Sequence, residues 1–321
     1  MNTSELTVRV ARKAAQTADI ATFELVDAGD RPLPAFSAGS HIDVHLPDGL
    51  TRQYSLCNSP AEGHRYLIGV LRDPASRGGS AAMHEAVHEG DLLHISAPKN
   101  HFALAHGASH SVLVAGGIGV TPILCMAERL HATGASFEMH YCTRSAERTA
   151  FRDRIEGAGY ADRVCFHFDA AEPAQKLDLA ALLASRAAGV HLYVCGPQGF
   201  MEWLLGAARV DGWPAGQLHY EFFGAAPVDT AGDAGFEVQL ASSGRVVRVP
   251  KDRSVVQALA DAGVEIVTSC EQGVCGTCLT RVLEGEPDHK DLYLTPEEQA
   301  ANDQFLPCCS RALSARLVLD L

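Results

Sequence analysis

Hydrophobic residues follow three successive rhythms along this chain. Over residues 1–105, the runs Thr7–Ala15, Ile20–Ala28, His41–Leu46, Gln53–Cys57, Tyr66–Leu71 and Asp91–Ala97 are rich in β-branched and aromatic residues that partly alternate with polar ones. That period suits half-buried strands. Pro32, Pro34 and Gly39 punctuate the loop before the third run, and Pro47-Asp48-Gly49 supplies an Asp-Gly turn. Ser80–His88 reads as one short helix. Several short strands joined by turns predict an antiparallel β-barrel.

From residue 106 to 226 the rhythm changes. Ser111-Val112-Leu113-Val114-Ala115 is a continuous apolar run, of the kind that fills a strand buried on both faces. Helical stretches near 122–132, 151–158, 179–187 and 199–209 alternate with strand-like runs at 136–142, 164–169 and 190–195. Such alternation predicts a parallel sheet clothed by helices, with ligands at the carboxyl ends of its strands. Residues 224–235 are small, polar and glycine-rich, which is linker composition. Beyond them, Phe236–Leu240 and Val246–Val249 read as a hairpin around Ser242-Ser243-Gly244. Ser254 caps a helix running to about Ala262, and Ala315–Leu319 is a terminal strand. The expected domains are therefore 1–105, 106–226 and 227–321.

Composition adds limits. The 321 residues are 47% hydrophobic and 20% charged, as in an ordinary globular protein. No apolar run approaches the roughly 20 residues that span a bilayer. The opening MNTSELTVRVARK has no apolar signal core, so a cytoplasmic location without membrane attachment is expected. Ten unevenly spaced cysteines do not resemble a secreted disulfide framework. A net charge of −13 argues against a nucleic-acid partner. Residues 227–321 hold 15 Asp/Glu against 8 Lys/Arg, a net −7, which suits docking to a basic redox partner.

The chemistry concentrates in a few runs. Cys270, Cys275 and Cys278 stand at C-x4-C-x2-C, and Cys308 is a fourth candidate. That is the spacing of a plant-type [2Fe–2S] ferredoxin. Soft thiolates suit such a cluster, and Gly273 and Gly276 let a loop wrap it closely. Structural zinc sites usually pair two C-x2-C units, and this chain has one. In Arg52-Gln53-Tyr54-Ser55, an arginine fork and a hydroxyl on one strand suit a phosphate, and Tyr54 suits packing on a flat ring. Arg77-Gly78-Gly79-Ser80 precedes the short helix, where backbone N–H groups can hold an anion. Gly116-Gly117-Ile118-Gly119-Val120-Thr121-Pro122 joins a buried strand to a helix, as dinucleotide-binding turns do. Val194-Cys195-Gly196-Pro197 follows a later strand and falls on the same edge. The 15 histidines are read as lacking a His-x-His or His-Glu-x-x-His arrangement, so no catalytic metal is expected. No His-bearing Rieske pattern occurs, so oxygen activation belongs to another protein. Cys57, Cys125, Cys142 and Cys165 are expected to be small buried residues.

Taken in order, Arg52-x-Tyr-Ser, the Gly116–Pro122 run, Cys195-Gly-Pro and the ferredoxin loop resemble the phthalate dioxygenase reductase family, the single-chain reductases of Rieske-type oxygenases. The resemblance covers nearly the whole chain. It implies an FMN-binding β-barrel, an NADH-binding α/β domain and a β-grasp plant-type ferredoxin domain, the last position of the ferredoxin implying FMN rather than FAD. It places Arg52, Tyr54, Ser55 and Val70 against the flavin and Gly78, Gly79 and Ser80 around its phosphate. Gly117, Arg144, Asp169, Cys195 and Gly196 fall along the nicotinamide nucleotide, and Thr121, Cys195 and Phe223 shape the hydride site. One departure is visible: a family strand that often reads Val-Lys-Arg is Val70-Leu71-Arg72 here. The family's terminal Cys-x-Ser-Arg-Ala run falls on Cys308–Ala312, implying Cys270, Cys275, Cys278 and Cys308 as cluster ligands. An extended segment there would turn Cys309 away from Cys308. The implied activity is an NADH-dependent reductase that passes single electrons from FMN through the cluster to a Rieske-type oxygenase, for aromatic-ring dioxygenation or O-demethylation. The alternative is a non-enzymatic electron carrier or redox sensor with the same cofactors.

Overall fold

Alternation over the first hundred residues produces a closed sheet. Strands β1 (Leu6–Ala15), β2 (Ile20–Asp27), β3 (Ser40–His45), β4 (Thr51–Ser55), β5 (Tyr66–Leu71) and β6 (Leu92–Ile95) pair antiparallel in the order β4-β3-β6-β1-β2-β5. A bridge between Leu56 and Ile68 joins the two ends of that order, which removes the free edges of the sheet. Strand β7 (Lys99–Asn100) adds to β3, and helix α1 (Gly79–Glu85) lies between β5 and β6 in the chain. Val8, Val10, Phe23, Ile42, Val44, Ile68 and Ile95 point inward and are buried. The computed structural model describes residues 5–46, 49–74, 78–170, 175–184, 186–224 and 232–321. Pro47 and Asp48 of the expected turn, and part of the expected linker, lie outside them.

The second rhythm gives a parallel sheet. Its elements are β8 (His110–Gly116), α2 (Val120–Ala132), β9 (Phe137–Thr143), α3 (Arg152–Glu156), β10 (Val164–Phe168), α4 (Leu179–Leu183), β11 (Val190–Cys195), α5 (Gln198–Val210) and β12 (Leu218–Glu221). The order β10-β9-β8-β11-β12 runs outward from β8 and then returns on its other side. The reversal leaves a crevice between the carboxyl ends of β8 and β11, where such sheets bind ligands. Strand β12 was not expected. Its Leu-His-Tyr-Glu has one buried apolar residue, too little to show a period, and pairing with β11 from Leu192↔Leu218 to Cys195↔Glu221 places it.

Met1–Glu221 and Phe222–Leu321 form two units. In the second, β13 (Phe236–Leu240) pairs with β14 (Val246–Val249), and α6 (Val255–Asp261) follows with a reciprocal cap between Ser254 and Gln257. Then come β15 (Thr280–Glu284), β16 (Pro287–Asp288), α7 (Pro296–Ala301), β17 (Gln304–Phe305), β18 (Arg311–Ala312) and β19 (Arg316–Leu319). The sheet order is β14-β13-β19-β15-β17, with β13 and β19 parallel. Val255, Ala258 and Leu259 of α6 pack on Val238, Val249 and Leu317, so the sheet grasps one helix. The long segment from Val264 to Leu279 between α6 and β15 carries the three spaced cysteines. Among the described residues no helix is long and apolar enough to cross a membrane.

Candidate functional site

The predicted nucleotide residues gather at one edge of the parallel sheet. Gly117 follows β8, Arg144 follows β9, Asp169 follows β10, and Cys195 and Gly196 end β11. The two central turns pack directly on each other. A Cβ on Gly119 would lie 2.2 Å from the Cys195 carbonyl oxygen, and one on Gly196 would lie 3.0 Å from Gly116 Cα. Gly117 has φ +52° and nothing within 4 Å of its missing Cβ, so the crevice there is open to a ligand's approach. Arg144 and Asp169 are exposed, and their backbones join the strand ends: Asp169 N–H donates to Thr143 O and Ala170 N–H to Arg144 O.

The barrel brings its own predicted residues together. Arg52 lies across the start of α1, with its Nε 2.4 Å from where a Gly79 Cβ would be. Gly79 is therefore the residue type that lets the guanidinium and the glycine loop share one place. Gly78 takes φ +90° there, and Ser80 Oγ accepts from Asp73 N–H at 3.2 Å. Arg77 lies outside the described residues. The Tyr54 hydroxyl is buried with no hydrogen-bond partner among the described residues, and burial pushes its pKa up. A buried hydroxyl costs free energy unless it is bonded, so this one fits a bound group. Thr121 is buried against the barrel, its methyl packed on Gly69 beside Val70, while its hydroxyl donates to Ile118 O. Val70 O accepts from His84 Nε2 at 2.9 Å.

Two residues that the sequence reading passed over join the site. Ser55 Oγ donates to Glu221 Oε2 at 3.3 Å, and His41 Nδ1 lies 3.9 Å from Glu221 Oε1. Glu221 ends β12, directly paired with Cys195. Its side chain keeps 15% of its surface exposed, and desolvation raises its pKa to about 7 against the pull of Ser55. Burial, with the Glu221 charge beside it, also pushes the Cys195 thiol well up. The signal for Glu221 was its place at the end of a strand in Glu221-Phe222-Phe223-Gly224, but that strand was not recognised. Phe223 itself belongs to the second unit, where it is exposed.

A stability test follows. Glu221 ionises near 4.5 in the unfolded chain and near 7 in the fold. The unfolded state sheds the proton first, so stability falls as pH rises through that window. Glu221→Gln escapes the loss. Its melting temperature, relative to that of the unaltered protein, should rise from pH 4.5 to above 7; a difference independent of pH would contradict the buried carboxyl.

His84-Glu85-Ala86-Val87-His88 has the His-Glu-x-x-His spacing of zinc sites, which the sequence reading missed. The structure does not use it so. His84 is bonded to Val70 O, Glu85 pairs with Arg72, and α1 ends at Glu85, so His88 does not complete a helical face. Among the remaining cysteines, Cys57 and Cys125 are buried, but Cys165 is exposed. Expecting it to be buried was wrong, because β10 is an edge strand.

In the second unit the four predicted thiols fall into two pairs. Cys270, with Thr277, holds the Cys275 thiol below its ordinary range, and Cys278 beside Cys308 does the same for Cys308, with further help from Cys309. Cys270 and Cys278 are pushed up in turn. Gly273 N–H also bonds the Cys308 sulfur, while Gln272 and Val274 N–H groups reach Cys270. Gly273 and Gly276 take φ +72° and +70°, and Cβ atoms there would strike Cys309 Sγ and the Tyr293 ring at 2.4 and 2.3 Å. Two thiols side by side, twice, with backbone donors around them, suit a centre of two irons. Among the described residues no group of three ligands converges on a single ion. The expected extended segment around Cys308 is instead a turn, closed by Cys309 and Ser310 N–H donating to Leu306 O. Cys309 packs against Gly273, within reach of Leu306 O and Ser310 Oγ, each at 3.7 Å.

Residues 238–313 match the family profile of the 2Fe-2S iron-sulfur cluster binding domain, and 96–218 that of the dimethylamine monooxygenase subunit DmmA-like, N-terminal domain. A vanillate O-demethylase oxidoreductase of Pseudomonas putida is 60% identical over 94% of this chain and 96% of its own length. A phthalate dioxygenase reductase of Burkholderia cepacia is 40% identical over 98% of this chain and 97% of its own. The chain belongs to the phthalate dioxygenase reductase family. The solved phthalate dioxygenase reductase, described as a modular structure for electron transfer from pyridine nucleotides to [2Fe-2S], superposes on 99% of this reductase and 98% of its own chain, with TM-score 0.77 and 40% identity. This reductase is thus an oxidoreductase of an oxygenase system, with a flavin and nicotinamide-nucleotide half and a [2Fe–2S] domain.

Proposed function

We propose that this chain is the NADH-dependent, FMN-containing reductase of a Rieske-type oxygenase. The domains would divide as 1–105 for FMN, 106–226 for NADH and 227–321 for the cluster. The observation that carries the reading is that one chain holds both an open nucleotide edge beside a barrel with an unsatisfied buried hydroxyl and a loop of two thiol pairs.

When bound, the flavin turns the two-electron hydride of NADH into single electrons and the cluster carries them onward. The chain's residues supply placement. Arg52, Gly78, Gly79 and Ser80 would hold the FMN phosphate, and Tyr54, Ser55 and Val70 the rest of the flavin. Gly117 and Gly196 would admit the dinucleotide, with Arg144 and Asp169 at its far end. Thr121 and Cys195 would border the reacting ring. Cys270, Cys275, Cys278 and Cys308 would ligate the cluster. The acidic carboxyl-terminal domain favours a basic patch on the oxygenase. Relatives named for vanillate O-demethylation and phthalate dioxygenation support an aromatic substrate for that partner.

Acid-released flavin should chromatograph as FMN, and the purified protein should turn over NADH with cytochrome c as a one-electron acceptor. FAD in the extract would overturn the cofactor. Absence of turnover would favour the carrier reading.

A further inference from the structure

One buried imidazole in the first unit has an unanswered nitrogen. His41 in β3 is 4% exposed, and its Nδ1 has no hydrogen bond among the described residues. That atom faces Oε1 of Glu221 at 3.9 Å. The other side of the ring is determined by its neighbours. Asp43 Oδ2 accepts from Lys99 Nζ at 2.6 Å, and Asp43 Oδ1 accepts from Gln53 Nε2 at 3.0 Å. An ionised carboxylate has no proton to offer, so that corner of Gln53 is its NH2 group. The same nitrogen lies 3.3 Å from His41 Nε2. Facing an N–H donor, Nε2 is the acceptor, and the single proton of the neutral ring sits on Nδ1.

The ring does stay neutral. Desolvation brings His41 down to about 4, with Asp43 opposing and His101 and Lys99 assisting. The groups that face it are thus Asp43 on its own strand, Gln53 on β4, Lys99 on β7, His101 just beyond β7 with its ring 5.5 Å away, and Glu221 on β12. Glu221 in turn faces Ser55, His41 and Cys195. A chain Lys99–Asp43–Gln53–His41 is thus linked from the barrel surface inward, and its last ring faces Glu221 at the ligand edge of the parallel sheet.

We propose that His41 is a positioning residue for the reductase reaction: held as the Nδ1–H tautomer by Gln53, it donates to Glu221 and, with Ser55, favours the ionised form of that carboxyl beside Cys195. The inference rests on the function proposed above. The gap to close is about 1 Å. Loss of hydride leaves the nicotinamide ring cationic, and a fixed carboxylate at the same strand ends favours that charge. Removing a donor to a carboxylate makes it ionise at higher pH.

The first test needs no turnover. Nitrogen-15 NMR of histidine-labelled protein should show His41 as the Nδ1–H tautomer, and Gln53→Leu should abolish that preference. The second is the pH profile of NADH-driven flavin reduction by anaerobic rapid mixing. His41→Leu should move the acid limb upward by about one pH unit, a roughly tenfold loss of rate below the limb. His41→Asn, whose amide N–H can take the place of Nδ1–H, should restore it. An Nε2–H tautomer in the unaltered protein, or an unmoved limb in a His41→Leu protein with full flavin and cluster content, would overturn the proposal. Absence of NADH-driven flavin reduction in the unaltered protein would instead overturn the proposed function, leaving the tautomer result to decide the Gln53–His41 relation on its own.

Discussion

Cys308→Ala should lose the [2Fe–2S] absorbance, its iron and its reduced-state EPR signal, while NADH still reduces the flavin. Cys309→Ala should keep all of these. The two thiols are neighbours in sequence, but their surroundings differ. Cys308 is bonded by Cys278 and by Gly273 N–H, so it completes the second thiol pair. Cys309 lies against the Gly273 backbone and Ser310. With one ligand of four removed, the cluster would lose one of the thiolates that hold it. The flavin-binding residues belong to the other unit, so their chemistry is spared. Iron analysis and EPR decide between the variants. An intact cluster in Cys308→Ala together with loss in Cys309→Ala would reverse the assignment.

Gly119→Ala should cut NADH-driven flavin reduction by about 10²-fold, the scale of a 1 Å misplacement at a reacting centre. The added methyl would meet the Cys195 carbonyl oxygen at 2.2 Å and its carbon at 2.4 Å. Both are backbone atoms, so the Cys195–Gly196 turn must shift rather than a side chain rotate. Flavin content should hold, because Arg52, Tyr54 and Gly79 stand elsewhere, and dithionite should still reduce flavin and cluster. Rapid mixing with NADH measures the loss. Reduction at the unaltered rate would mean that the close approach of the two turns does not set the hydride site.

Much of this was legible in residue order. Strand–helix alternation placed Gly117, Arg144, Asp169 and Cys195 at strand ends, because a parallel sheet puts every carboxyl end on one edge. The Arg52–Gly79 contact was not legible. It joins β4 to α1 across the barrel, and no local period encodes a side chain lying over a glycine. Glu221 was hidden for a different reason: β12 is four residues long and takes its place from pairing with β11. The partition of the thiols into Cys270–Cys275 and Cys278–Cys308 likewise depends on a turn brought from some thirty residues away. Cys308 was chosen because the family's Cys-x-Ser-Arg-Ala run falls on Cys308–Ala312; the extended segment taken as weaker support for that choice is instead a turn, although Cys308 does meet Cys278.

Electrons are expected to follow an ordered path from NADH through flavin to cluster. Anaerobic rapid mixing of the purified holoprotein with one equivalent of NADH tests it most directly, followed at a flavin wavelength and by freeze-quench EPR. The flavin absorbance should fall first, and the EPR signal of the reduced [2Fe–2S] cluster should then grow at a rate no faster than that fall. In Cys308→Ala the first phase should remain and the second vanish. Cluster reduction that precedes flavin bleaching, or that proceeds in protein stripped of flavin, would contradict the path.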